Sequence, residues 1–206
     1  CENTVSISVT VNPLPTVTAS SNPTSPLCEG DNLTLNGSGA TTYSWDNSVI
    51  DNTSFTPSAG TVTYTVTGTD ANTCVNTATI SITVNPLPTV TASSTPISPL
   101  CEGDNLTLNG SGATTYTWTD GTSTYTDGIT FTPGAGTATY TVTGTDVNSC
   151  ENTDNVTVTV NSLPTVTANS TPVSPLCEGD DLTLNGGGAA TYSWDNSVID
   201  NTLFTQ

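Results

Sequence analysis

One block of sequence recurs three times, and this recurrence constrains the fold more than any other feature. LCEGDNLTLNG runs over Leu27–Gly37 and Leu100–Gly110, and returns as LCEGDDLTLNG over Leu176–Gly186. Its cysteines, Cys28, Cys101 and Cys177, stand 73 and 76 residues apart, and a second series, Cys1, Cys74 and Cys150, keeps the same spacings. Trp45, Trp118 and Trp194 each follow the first cysteine of their copy by 17 residues. A fixed period is the signature of a repeat architecture, and one this long suffices for a small domain with its own core. Residues 1–12 match Cys74–Asn85 and read as the last strand of a preceding repeat. Two complete repeats follow, 13–85 and 86–161, and an incomplete one covers 162–206. The array is expected to continue beyond both ends. The three extra residues of the middle repeat fall between Trp118 and Phe131, where a loop tip would accept them.

Within each repeat the apolar period is two. Val5, Ile7, Val9 and Val11 alternate with polar residues, as do Ala78, Ile80, Ile82 and Val84, and Val156, Val158 and Val160. Leu33 and Leu35, Tyr43 and Trp45, and Val62, Tyr64 and Val66 repeat the pattern. Such alternation gives a strand one face in a core and one in water. NGSG at Asn36–Gly39, DN at Asp46–Asn47, PSAG at Pro57–Gly60 and DANT at Asp70–Thr73 punctuate the runs as turns. Six or seven short strands per repeat predict an all-β fold of tandem immunoglobulin-like sandwiches, the aromatics filling their cores. Linkers with two prolines around one residue, Pro13–Pro15 and Pro86–Pro88, restrict bending, so the sandwiches are expected to string into an extended rod.

Composition removes several function classes. There is no Lys, Arg or His, and 18 acidic residues give a formal charge of −18. Nucleic-acid binding and polybasic membrane docking both need the cations that this chain lacks. No apolar run approaches the ~20 residues that span a bilayer, so no membrane insertion is expected. Nucleophilic triads lack a base. General acid–base work would rest on Asp and Glu alone, and the recurring close pairs are Glu29 with Asp31, Glu102 with Asp104, and Glu178 with Asp180. These read as solvated turn residues, with calcium as the alternative because the ion takes oxygen ligands. The expectation is a non-enzyme with no cofactor. Rows such as Thr61–Thr67 read as ordinary outer strand faces.

Two cysteines per repeat, without His or CxxC, point to disulfides and an oxidising compartment rather than zinc. Pairing within a repeat is the first choice: Cys28 with Cys74, and Cys101 with Cys150, leaving Cys1 and Cys177 to pair outside this window. It requires six strands per repeat, with one between the Trp and Tyr strands, because seven would leave the two cysteines at opposite ends of the sandwich. The alternatives are Cys28 with Cys150 across a joint, or the set Cys1–Cys28, Cys74–Cys101 and Cys150–Cys177.

The ordered set CEGDNLTLNGSG, TYSW, FTP, YTVTGTD and then a cysteine after an Asp-Ala-Asn turn resembles the Ig-like or PKD-like repeats of large secreted proteins of Bacteroidota. The resemblance implies extracellular or outer-surface proteins exported by the type IX pathway, often adhesins, in which the repeats act as stalks. It transfers no catalytic residue. The expected function is a structural stalk or filament segment whose partners are neighbouring repeats. A glycan or surface ligand would be held by domains outside this window. Two other readings stand beside it: a glycan-binding accessory module of a secreted polysaccharide-degrading enzyme, and a subunit that self-associates into a multi-chain fibre or sheath.

Overall fold

The computed structural model describes residues 1–205. The chain divides into two compact units. One is Cys1–Ser93 with Leu108–Ile129 and Tyr140–Val156; the other is Ser94–Thr107 with Thr130–Thr139 and the chain from Thr157 on.

The first seven strands form one sandwich. They are β1 (Thr18–Asn22), β2 (Leu27–Cys28), β3 (Leu33–Ser38), β4 (Thr42–Trp45), β5 (Ser54–Phe55), β6 (Gly60–Thr69) and β7 (Val75–Asn85). One sheet has the order β1-β3-β5 and the other β2-β7-β6-β4. The alternating residues face inward as their period demands. Leu33, Leu35, Trp45, Tyr64, Val66, Ile82 and Val84 are buried together with Val17 and Leu27. Hydroxyls line the outer face and bond to each other across the β6–β7 ladder, Thr61 to Thr83 at 3.0 Å and Thr63 to Ser81 at 2.9 Å. This arrangement, with β1, β3 and β5 in one sheet facing β2, β4, β6 and β7 in the other, is that of an immunoglobulin-like sandwich.

The second sandwich repeats the plan with β8 (Thr91–Thr95), β9 (Leu100–Cys101), β10 (Leu106–Ser111), β11 (Thr115–Thr119), β12 (Thr124–Tyr125), β13 (Thr130–Phe131), β14 (Gly136–Thr145) and β15 (Glu151–Asn161). Its sheets are β13-β10-β8 and β12-β11-β14-β15-β9. The extra residues of this repeat are more than a loop tip. They fold back as β12, which pairs Trp118 with Tyr125 and Thr119 with Thr124 and adds a fifth strand. The Asp120 carboxylate makes the reversal by accepting the backbone N–H groups of Thr122 and Ser123 at 2.8 and 2.7 Å.

The third set, β16 (Thr167–Thr171), β17 (Asp181–Gly187) and β18 (Leu203–Thr205), forms a single sheet in the order β16-β17-β18. Tyr192–Trp194, the copy of β4, lies outside any strand, and a three-residue 3₁₀ turn follows at Asp195–Ser197. In the first sandwich β4 is held by β6, and residues 162–206 contain no copy of β6. Residues 1–12, expected as a strand, likewise form none, and Val5, Ile7, Val9 and Val11 are exposed. Their copy, β7, is held between β6 and β2, whereas alternation without a ladder partner leaves the backbone groups to water.

Candidate functional site: the stapled joint

The cysteines carry the most distinctive chemistry, and their placement follows from strand lengths. β7 runs antiparallel to β6 from Thr69↔Val75 to Gly60↔Val84. Cys74 lies in the tight turn before β7, where Asp70 Oδ1 accepts the N–H groups of Asn72 and Cys74, both at 2.8 Å. Cys28 belongs to β2, which runs parallel to the far end of β7 with Leu27↔Val84 and Cys28↔Asn85. An 11-residue strand at ~3.4 Å per residue separates the two cysteines by roughly 34 Å. No disulfide spans that, since bonded cysteines keep their Cα atoms within about 7 Å.

The within-repeat pairing is therefore corrected. The structure bonds Cys28 to Cys150, 122 residues apart in sequence, with Cα atoms 5.5 Å apart. Cys74 and Cys101 are not bonded to Cys28 and Cys150, and Cys1, Cys74, Cys101 and Cys177 are free thiols. Cys150 occupies the turn before β15, the copy of the Cys74 turn, with Asp146 Oδ1 accepting its N–H at 2.9 Å. That hydrogen bond is the first cause holding the Asp146 carboxyl below its ordinary range.

Polar contacts surround the bond. Glu29 N–H donates to Asn85 O at 2.8 Å, which fixes Cys28 beside the end of β7. The Asn152 amide donates to Pro88 O at 2.9 Å, so the linker itself is held two residues from Cys150. Asp154 accepts the Ala92 N–H at 2.8 Å, and this bond lowers its pKa. Cys150 is completely buried. All these partners lie within the first compact unit.

The acidic pairs have local duties. Asp31, Asp104 and Asp180 accept the N–H groups of Cys28, Cys101 and Cys177 at 2.9, 2.8 and 2.8 Å. Each closes the Glu-Gly-Asp turn after its cysteine. Glu29 and Glu102 contribute backbone N–H groups to Asn85 and Asn161, and Glu178 is exposed. Among the described residues, no three His, Cys, Asp or Glu side chains converge as a metal cage would require.

One carboxylate escaped notice in the sequence. Asp51 Oδ1 accepts both the Trp45 indole N–H and the Gly37 N–H, each at 2.8 Å. Asp127 serves Trp118 and Gly110 in the same way at 2.8 and 2.6 Å, and Asp200 serves Trp194 and Gly186 at 2.8 Å each. The signal was available: each of these aspartates stands four residues before a phenylalanine, Phe55, Phe131 or Phe204. Its spacing from the tryptophan varies, because the middle repeat's extra residues intervene.

The exposed large apolar side chains are aliphatic, while Trp45, Trp118, Tyr64 and Tyr140 are buried. Tyr43 is half-buried, and its hydroxyl both accepts from Ala40 N–H and donates to Ala40 O at 2.7 Å. An open cleft of about 430 Å³ lies beside Tyr64, lined by Val49, Ile50, Phe55 and Pro57 among others. In the second sandwich Tyr125 packs edge-on against Tyr140 with ring centroids 5.2 Å apart, and its hydroxyl donates to Asp120 at 2.7 Å. That bond, with burial, pushes the Tyr125 pKa up to about 12 and leads the causes holding Asp120 well below the usual carboxylate range.

No protein-family model matches this chain, and no curated protein matches it. Among solved structures it is similar to the fibronectin(III)-like modules of Clostridium thermocellum CbhA, at 12% identity and a TM-score of 0.35, over 71% of this chain and 94% of that one. No helix among the described residues is long and apolar enough to cross a membrane.

Proposed function

We propose that this chain is a non-catalytic structural segment of a large extracellular adhesin-type repeat protein, a stalk or filament in which immunoglobulin-like sandwiches are locked in series. The carrying observation is the Cys28–Cys150 bond, which ties the exit end of one sandwich to the turn that opens the last strand of the next. A disulfide placed there adds nothing to a reaction centre and removes freedom at a linker. A disulfide also suits an oxidising, secreted setting. A net charge of −18 keeps parallel stalks soluble and apart, and the absence of Lys and Arg denies trypsin-like proteases a cleavage site.

Solution scattering under oxidising and reducing conditions tests this reading. The oxidised chain is expected to scatter as one stiff, elongated particle, and reduction to loosen it into jointed beads. Oxidised chains that already scatter as flexible beads would overturn it. The glycan-binding reading draws no support from the aromatic residues, whose larger rings are buried.

A further inference from the structure

Cys28–Cys150 is one complete staple, and the same chain carries both of its halves a second time. The first half is the β2-type cysteine. Cys101 on β9 reproduces the setting of Cys28: Leu100↔Val160 and Cys101↔Asn161 in parallel register, Glu102 N–H to Asn161 O at 2.8 Å, and Asp104 on its own N–H. The following linker is held there as well, with Leu163 N–H donating to Glu102 at 3.3 Å. The second half is the turn cysteine. Cys74 reproduces the setting of Cys150, and the Asn76 amide donates to Pro15 O at 2.9 Å as Asn152 does to Pro88 O. The linker before the first sandwich is thus docked onto the turn beside Cys74, as at the completed joint. What differs is cover: Cys150 is buried, whereas Cys74 is only half-buried and Cys101 is exposed.

We infer that Cys101 and Cys74 are half-staples of the same forward series. The β2-type cysteine of each repeat bonds the turn cysteine of the repeat that follows it on the same chain. Cys101 takes the turn cysteine of the third repeat as that repeat continues, and Cys74 takes the β2-type cysteine of the copy preceding Pro13. The partner is therefore another copy of this repeat, whose linker is held against its own Asp-capped turn as Pro88 is at the completed joint. Each bond forms as two thiols lose two protons and an electron pair to a disulfide oxidant, such as oxidised glutathione or an exchange protein, which leaves as two thiols. The inference rests on the stalk reading, but it predicts connectivity, which scattering does not measure.

The test is a non-reducing peptide map of the full-length secreted chain, alkylated before denaturation and cleaved at Asp, Glu or aromatic residues, since the repeats 13–161 offer trypsin no site. The expected map joins every LCEGD peptide to the turn peptide of the next repeat, at single-chain mass. Recovery of Cys74 or Cys101 as alkylated free thiols overturns the inference, as does a Cys74–Cys101 or within-repeat link, or a bond between two chains. A collapsed or bead-like particle with the forward links intact would instead fault the stalk reading alone.

Discussion

Asp51 shows how a single side chain is committed by geometry. Its Oδ1 takes two donors, the Trp45 indole and the Gly37 N–H, where strand β3 passes the core. Removing an acceptor from partly buried donors costs about 1–3 kcal/mol for each donor left unpaired. Asp51→Ala is therefore expected to destabilise the first sandwich by about 2–4 kcal/mol, read from denaturant unfolding followed by tryptophan fluorescence. Asp51→Asn keeps a carbonyl acceptor at the same place and should lose markedly less. Equal losses for both would mean that charge, not hydrogen-bond acceptance, is what Asp51 supplies. Gly37 has its own reason to be glycine: a Cβ there would lie 2.5 Å from Tyr43 Cδ1, so the ring lies flat on the backbone. The NGSG block reads as a turn in sequence, but Gly37 is a strand residue on which an aromatic packs.

The β11–β12 hairpin is the element in which titration and structure are most closely linked. Tyr125 donates to Asp120, and both depart from their ordinary pKa values in opposite directions. The Tyr125 value is raised to about 12 from 10.0, so its contribution is complete below pH 10.0 and is lost as pH rises through about 12. Asp120 is lowered from 3.8, so its contribution is present above pH 3.8 and is lost as pH falls through its depressed value. Near-ultraviolet absorbance titration should show a late tyrosine phase in which Tyr125 ionises at about 12, alongside the raised Tyr64 and Tyr140. Asp120→Asn should bring Tyr125 back toward 10.0; an unchanged late phase would place the high value elsewhere. The first and third repeats have no such hairpin, and in the first an open cleft lies beside Tyr64.

Across the chain the staple adds to cores that are small. Each sandwich is small and buries few large side chains, so its own stability is marginal. A native disulfide in such domains contributes about 2–4 kcal/mol. Cys28→Ser is expected to lower the unfolding free energy by about that amount while leaving the native tryptophan emission unchanged, because Trp45 and Trp118 stay in their separate cores. Cys74→Ser should leave the stability of this chain unaltered, since Cys74 is unbonded here. The reverse result, a loss with Cys74→Ser matching that of Cys28→Ser, would restore the within-repeat bond.

Much of this protein was legible in its sequence, and the parts that were not share a cause. Repetition, the long strands of the two sandwiches, their inward-facing rows and the buried Trp45 and Trp118 could be read directly, because the alternation of apolar and polar residues is local and has a period of two. Trp45, Leu33 and Ile82 all sit where that period puts them. The cysteine partners were not legible, because pairing depends on which end of a sandwich each cysteine occupies. That end is set by β2, a two-residue strand parallel to β7 and too short to show any alternation. It carries Cys28 to the Asn85 end, a full strand away from Cys74, and only the assembled sheets bring Cys150 within bonding distance. The staple of the repeat 13–85, placed by the sheets, reaches the turn cysteine of the next repeat.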